Sequence, residues 1–187
     1  MKPTGAAITG TRIRLEPFTR KHLTDPRYAS WLHDYEVMRY IGRPEYLTPA
    51  PSAEIVSYVE KMWASPYIHF FAIHTTDGQF IGTAKANYLD DTGVATKTID
   101  IGIMIGDRMQ WGKGYASEAI RLIAKHCFTT LGARKLTAGT NERNIGTIRI
   151  FEKAGFVIEG RLRKKLLCEG EYCDHLLFGC FPEEYHA

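Results

Sequence analysis

The chain has 187 residues, a formal net charge of +3, 44% hydrophobic and 24% charged residues. That size suits one domain spanning 1–187 with a sizeable core, and the small positive bias argues against nucleic acid as a partner. No stretch approaches the length that spans a bilayer, and residues 1–11 are polar without a signal-peptide core, so the expected setting is the cytoplasm, away from membranes. Cys127, Cys168, Cys173 and Cys180 lack paired Cys-x-x-Cys spacing and read as free thiols rather than zinc ligands.

Taken in order, Arg12–Phe18 alternates as a strand, with Ile13 and Leu15 opposite Arg14 and Glu16. Thr19–His33 reads as helical, interrupted near Asp25-Pro26, and Asp34–Tyr40 as a short further turn. Gly42–Pro51 is a Pro/Gly-rich loop. From Ser52 a better helix follows, with Ile55, Tyr58, Val59, Met62 and Trp63 on one stripe. Tyr67–His74 and Phe80–Ala86 are strands joined by the hairpin signal Asp77-Gly78. Asn87–Thr96 reads as a polar loop, and Ile99–Ile105 as a central strand. A helix carries Ala116, Ala119, Ile120, Ile123, Ala124 and Cys127 on one face, and Gly132 stops it. Lys135–Thr140 is a strand, Thr147–Ala154 a short helix, and Phe156–Arg161 and His175–Phe181 the last strands. This order predicts an α+β fold: a sheet with helices on both faces.

The stretch Gln110-Trp111-Gly112-Lys113-Gly114-Tyr115-Ala116 joins the central strand to the amphipathic helix. Such a turn exposes unpaired N–H groups at the positive end of the helix dipole. Gly112 and Gly114 let a ligand approach the backbone, and Lys113 adds a cation, so the turn reads as a phosphate seat. It is not a P-loop, because Gly114 stands where Ser or Thr is needed. Nor is it a dinucleotide fingerprint, because Ser117 replaces the third glycine.

Three ordered motifs over the C-terminal half then resemble the GNAT superfamily of N-acetyltransferases. They are most similar to the branch of the ribosomal-protein N-terminal and spermidine acetyltransferases. The first is Trp111–Ala119, like the superfamily's acetyl-CoA pyrophosphate loop, with Trp111 at the usual Gln/Arg position. The second is Asn144–Phe156, like the branch's Asn-x-x-Ser…Glu-Lys-x-Gly-Phe. The third is Glu169–Asp174, like its Asp-Gly-Glu-Tyr-x-Asp turn.

The resemblance implies the GNAT fold: a mixed, mostly antiparallel sheet whose fourth and fifth family strands splay around pantetheine. It implies acetyl-CoA as cofactor, held by Trp111, Gly112, Lys113, Gly114, Tyr115 and Ala116, by the main chain of Ile103, Met104 and Ile105, and by Asn144 and Thr147. The acceptor would be a small-molecule or peptide primary amine: a protein N-terminus, or a polyamine or nucleotide-linked amino sugar. A non-catalytic acyl-CoA sensor is the rival from another class.

Transfer to an amine with a pKa of about 10.4 in water needs a base and oxyanion donors. Asp100 matches the acidic position of the branch's Glu-x-Gly strand. Two readings stand for it: a base with a raised pKa in an apolar strand, or an Asp on the sheet's solvent face. Glu118 is a poorer base, since it complements the helix dipole. The family's acid, a tyrosine four residues before the glycine of Gly-Phe, is here Phe151. The thiolate then leaves unassisted, or Thr147 or Tyr172 serves; Thr147 is favoured, with a helix cap as its other reading. His69, His74 and His126 show no metal spacing, so no metal is expected. Trp31, Tyr35, Tyr40 and Tyr46 mostly suit core packing. The acids Asp34, Glu36, Glu45, Asp90, Asp91, Glu169 and Glu171 would attract a cation or simply stand in solvent.

Overall fold

The computed structural model describes residues 6–41 and 52–186. The loop read at 42–51, with Glu45 and Tyr46, lies outside the described residues. A two-residue strand β1 (Ile8–Thr9) precedes β2 (Ile13–Pro17). The helical stretch that follows is broken, as the Asp-Pro pair dictates, into α1 (Arg20–Leu23) and α2 (Pro26–Leu32). Asp25 caps α2 by accepting from the Arg27 amide, and proline takes the first helical position, where no N–H is missed. Asp34 caps α3 (Tyr35–Met38) in the same way. Then come α4 (Ser52–Ala64), β3 (Ile68–Thr75) and β4 (Phe80–Asn87).

The polar segment before the central strand is helical at its end, as α5 (Asp91–Thr96). Asp90 accepts from the Gly93 amide and Lys97 closes the helix at φ 52°, so capping chemistry forms one turn without any apolar stripe. β5 (Thr98–Ile105), α6 (Tyr115–Thr129) and β6 (Lys135–Asn141) follow. Helix α7 (Ile145–Lys153) starts two residues before the periodicity places it, because Asn144 is its cap.

The last strands, β7 (Val157–Cys168) and β8 (Glu171–Cys180), are much longer than their apolar cores. They meet at a tight turn with Glu169 at φ 55° and Gly170 at φ 78°. β7 is the edge of the sheet, and its Arg161, Arg163, Lys164 and Lys165 interrupt alternation, as is common for edge strands.

One eight-stranded sheet runs in the order β1-β2-β3-β4-β5-β6-β8-β7. Among the described residues every neighbouring pair is antiparallel except β5 and β6. The fold is therefore the expected α+β sheet, mixed and mostly antiparallel. Odd-numbered residues of β5 point to one face. There Ile99 and Ile101 join Ile13, Ile73, Ile120 and Ile123 in a core under α6, with Phe151 of α7 at its margin. The opposite face carries Phe18, Trp31, Val59, Ala72 and Phe80 beneath α1, α2 and α4.

Candidate functional site

The parallel β5–β6 contact is short. Only Thr98, Asp100 and Ile99 of β5 find partners, at Lys135, Thr137 and Leu136. Beyond Asp100, β5 continues to pair with β4 while β6 pairs with β8. The inner edge of β5 from Ile101 onward therefore lacks a neighbouring strand. N–H and C=O groups alternate in direction along a strand. The Lys97 carbonyl accepts from Arg134 on the β6 side, and the Ile105 carbonyl accepts from Trp111 Nε1 at 2.8 Å. The odd-numbered residues thus direct their main chain toward β6; the Ile101 amide closes the last rung of that ladder, which leaves the Ile101 carbonyl, the main-chain groups of Ile103 and the Ile105 amide for a ligand. Met104 turns its main chain toward β4 and offers the gap only its side chain. Sequence reasoning omitted Ile101; the alternation within β5 was the signal that would have included it.

At the C-terminal end of β5 a 3-10 turn (Arg108–Gln110) leads into Trp111, Gly112 and Lys113. Gly112 lies at φ 74° and Gly114 at φ 81°, a region that an L side chain rarely enters. Gly114 caps α6, so the amides of Tyr115 and Ala116 open that helix. Lys113 Nζ donates to Gln110 Oε1 at 3.0 Å, which holds the cation over the turn. Arg12 fastens the turn from beneath, donating to the carbonyls of Lys113 at 2.8 Å and Gly114 at 3.3 Å. Its Nε donates to Glu118 Oε2 at 3.0 Å, while Glu118 Oε1 accepts from the Arg12 amide at 2.8 Å. Burial opposes ionisation of Glu118, but these hydrogen bonds from Arg12 and the backbone hold its carboxyl below the ordinary value. Glu118 is thereby spent on structure.

Between the separated strands and the helices α2, α3, α4 and α7 lies a cavity of about 270 Å³. Its floor is Lys85, Gly102 and Met104; its walls include Tyr28, Tyr58 and Phe70 on one side and Asn144, Thr147 and Phe151 on the other. Gly102 is the informative floor residue: a Cβ there meets nothing within 4 Å. At Gly106, by contrast, a Cβ would lie 2.1 Å from the Trp31 ring, so α2 is packed against the backbone at the end of β5. The gap, the open edge and the glycine turn fit an elongated thioester cofactor with a phosphate-bearing end.

Asp100 sits where β5 and β6 part. It is partly buried on the face that carries the cavity floor, and its Oδ2 accepts from Thr137 Oγ1 at 3.2 Å. Desolvation raises its pKa to about 6, moderated by the charge of Lys85 and the Thr137 hydrogen bond. It is set beside the cavity rather than in its lining.

Asn144 Oδ1 accepts from the Thr147 amide at 3.2 Å, so Asn144 is the cap of α7 and Thr147 is not. The Thr147 side chain lies in the first turn of α7 and lines the cavity. Phe151 is buried and stacked on Phe178 with centroids 5.3 Å apart. Tyr172 is 70% exposed near the end of the β7–β8 hairpin and does not reach the cavity.

Most of the scattered acids are occupied. Asp34 caps α3 and pairs with Arg108; Asp90 caps α5; Asp91 accepts from the Tyr67 hydroxyl. Glu36 pairs with Arg39, Glu169 with Arg39 and Arg143, and Glu171 with Arg143. Trp31 is buried, Tyr35 is exposed, and Tyr40 borders the cavity.

Separate elements also bring Glu16, His22 and His74 together, with ligand-capable atoms within 4.8 Å of one another. No sequence spacing links β2, α1 and β3. Two members are committed elsewhere: His22 Nδ1 accepts from the Thr19 amide at 2.9 Å, and Glu16 pairs with Arg14; His74 Nδ1 makes no hydrogen bond and lies 3.6 Å from Glu16 Oε2. The two imidazoles pack on each other and on Phe80. The four cysteines are free and buried, and desolvation pushes the Cys127 thiol up to about 12. No helix among the described residues is long and apolar enough to cross a membrane.

Comparison with known proteins agrees with this geometry. Residues 12–157 match the family model of the acetyltransferase (GNAT) domain. The chain is 32% identical over 142 residues to the "Probable N-acetyltransferase YjcK" of Bacillus subtilis, covering 75% of this chain and 77% of that protein. It is 26% identical over 154 residues to the uncharacterized N-acetyltransferase p20 of Bacillus licheniformis, covering 81% and 84%. In fold it is similar to the spermidine N-acetyltransferase of Vibrio cholerae, solved with CoA and spermine. The TM-score is 0.82 at 20% identity, over 93% of this chain and 98% of that one. It is likewise similar to RimJ of Mycobacterium smegmatis, solved with CoA-disulfide, with a TM-score of 0.76 at 21% identity over 92% and 83%. The chain belongs to the GNAT acetyltransferase family, and it is an N-acetyltransferase.

Proposed function

We propose that the chain, acting as one domain in the cytoplasm, moves the acetyl group of acetyl-CoA to a primary amine seated in the cavity between α2, α4 and β5. The observation that carries this reading is the parting of β5 from β6 beside a glycine turn at the start of α6. The cofactor supplies an activated thioester. Gly112, Lys113, Gly114, Tyr115 and Ala116 hold its phosphates with backbone amides and one cation. The Ile101 carbonyl, the main chain of Ile103 and the Ile105 amide would hold its arm as a neighbouring strand would, and an N–H of that open edge would supply a donor for the oxygen on which charge develops. Asn144 spends Oδ1 on its helix and keeps its amide nitrogen for the ligand.

Asp100 accepts the ammonium proton, directly or through one water, with a pKa near the working pH. Thr147, which lines the cavity, would supply a hydroxyl donor to the leaving sulfur, since Phe151 has no proton to give.

Two acceptor classes remain in the reading: a protein N-terminus, and a small amine such as a polyamine or a nucleotide-linked amino sugar. A thiol-release assay with acetyl-CoA and a panel of peptides, polyamines and amino sugars tests it. Multiple turnovers with any amine support transfer. CoA binding without turnover on any amine would mark an acyl-CoA sensor instead.

A further inference from the structure

The cavity floor carries one residue that the acetyl-transfer chemistry leaves unused. Lys85 lies in the middle of β4, a central strand, with Phe70 beside it on β3 and Gly102 beside it on β5. Among the described residues that line the cavity it is the one ionised side chain, and no carboxylate is there. It is half-buried, and it makes no ion pair within 4.0 Å with a described carboxylate. A lysine held in a central strand between an aromatic ring and open space gains from a counter-charge in direct contact, and Asp100 acts on it without forming an ion pair. That space is the one above Gly102, where a Cβ meets nothing within 4 Å.

Asp100 is the diagonal neighbour of Lys85 across the β4–β5 pair, on the same face. Diagonal positions lie about 7–8 Å apart, within reach of a long side chain; the charge of Lys85 acts on Asp100, yet the two make no ion pair within 4.0 Å, and a small molecule can bridge them.

Resting on the reading of Asp100 as the base, we propose that Lys85 is an anion-binding residue of the acceptor site. The acceptor is then a small primary amine that bears its own carboxylate or phosphate a few bonds from the nitrogen. Its amine turns to Asp100 and its anionic group to Lys85, with the apolar remainder against Phe70 and Tyr58. A polyamine would place further cations against Lys85 with no carboxylate among the described lining residues to receive them. A protein N-terminus would bring no α-carboxylate.

Matched acceptors test this. Phenylalanine is compared with phenethylamine, glucosamine 6-phosphate with glucosamine, and spermidine stands alone. Each is followed by thiol release and by calorimetric binding to the CoA-loaded chain. The expected result is an advantage of at least about 10-fold in kcat/KM and in affinity for an anionic member over its partner, a factor of ten being the step that one ordinary ionic contact supplies. The first pair reports a carboxylate source and the second a phosphate source. Lys85→Met should erase the advantage, Lys85→Arg should keep most of it, and Lys85→Glu should turn the preference toward spermidine, all with unchanged CoA affinity. Preference for spermidine or for the uncharged partners in the unaltered chain overturns the proposal while leaving acetyl transfer standing. So does an anion preference that survives Lys85→Met in a folded protein. Turnover and binding with none of these amines, while peptide N-termini are acetylated, overturns the proposal too; turnover with no amine or peptide at all sinks the transfer reading, and this inference with it.

Discussion

Two groups of buried ionisable side chains lie on the same helix-covered face of the sheet, and they behave oppositely. Glu16, His22 and His74 are enclosed by Phe18 and Phe80; the Thr19 amide takes His22 and Arg14 takes Glu16, while His74 Nδ1 is buried without a hydrogen bond, 3.6 Å from Glu16 Oε2, and faces no cavity. Asp100 and Lys85 stand beside open space and act on each other's charge; among the described residues Thr137 is the side-chain hydrogen-bond partner of Asp100, and Lys85 makes no ion pair within 4.0 Å. Burial perturbs both groups, lowering His22 to about 4 and raising Asp100 to about 6. A shifted pKa therefore does not distinguish site from packing here. Unspent polar groups facing a cavity do.

The largest effect that would sharpen this contrast is expected from Asp100→Asn. Removing a general base costs about 10²–10⁴-fold in rate. In the unaltered chain activity should rise with pH through about 6, because the base must lose its proton, and Asp100→Asn should remove that limb. The sign for stability is the reverse. A carboxyl whose folded pKa is raised binds its proton more tightly when folded, so it favours folding below about pH 4 and loses that advantage as pH climbs toward 6. Asp100→Asn should then melt a few degrees higher than the unaltered chain at pH 8. Full activity of Asp100→Asn across pH 6–9 would assign the base elsewhere.

Next come the glycines. Gly114→Val places a Cβ 3.0 Å from Arg12 Nη2 at φ 81°, so it strains the turn and pushes away the guanidinium that fastens it. CoA affinity should fall at least about 10-fold, with some loss of stability. Gly102→Val is the cleaner probe, because its side chain would enter only the cavity. It should raise KM for acceptor or cofactor while the melting temperature holds or rises, a β-branched residue being favoured in a strand. Unchanged kinetics in Gly102→Val would remove the cavity from the site.

How much of this was legible in the sequence follows from what each feature depends on. The glycine turn, α6 and the β5 strand are local patterns, and they stand where periodicity and turn chemistry put them. The resemblance implied the parting of β5 and β6; nothing local encodes it, because it depends on β6 choosing β8 after Thr137. Lys85 lies within the strand Phe80–Ala86 and nothing local in the sequence singles it out. Its significance comes from Gly102 across the ladder and from the absence of a carboxylate among the described lining residues, both tertiary facts. The extent of β7 was hidden by its charged edge, and α5 by having caps without a stripe.

Thr147 should give a smaller effect, and the structure changes its meaning. Since Asn144 supplies the cap, Thr147→Val leaves the start of α7 intact. A fall of a few-fold to about 10-fold in kcat with little loss of stability is expected if the hydroxyl serves the sulfur. Asn144→Ala should instead cost about 1 kcal/mol of stability. Turnover unchanged in Thr147→Val would leave the thiolate to depart without help from this residue.

The smallest expected effect lies in the enclosed group, and it tests whether that group is packing alone. Desolvation, together with the neighbouring charge of His74, lowers His22 to about 4, and desolvation also lowers His74. A histidine with a depressed folded pKa contributes its full stability above its unfolded value of about 6.5, and loses it as pH falls toward the folded value, since the unfolded chain then binds the extra proton. Melting temperature should therefore be flat above pH 7 and decline by several degrees between pH 6.5 and 4. Carboxylates elsewhere titrate in the lower part of that window, so the comparison needs a variant. His22→Gln keeps an acceptor for the Thr19 amide, in the manner of a Thr-x-x-Gln capping box, and removes the titration. Its melting profile between pH 6.5 and 5 should be flatter than that of the unaltered chain, with acetyl transfer at pH 8 untouched. An equally steep profile in His22→Gln would place the acid sensitivity in other groups, and a loss of transfer at pH 8 would mean that the enclosed cluster and the open site are not independent.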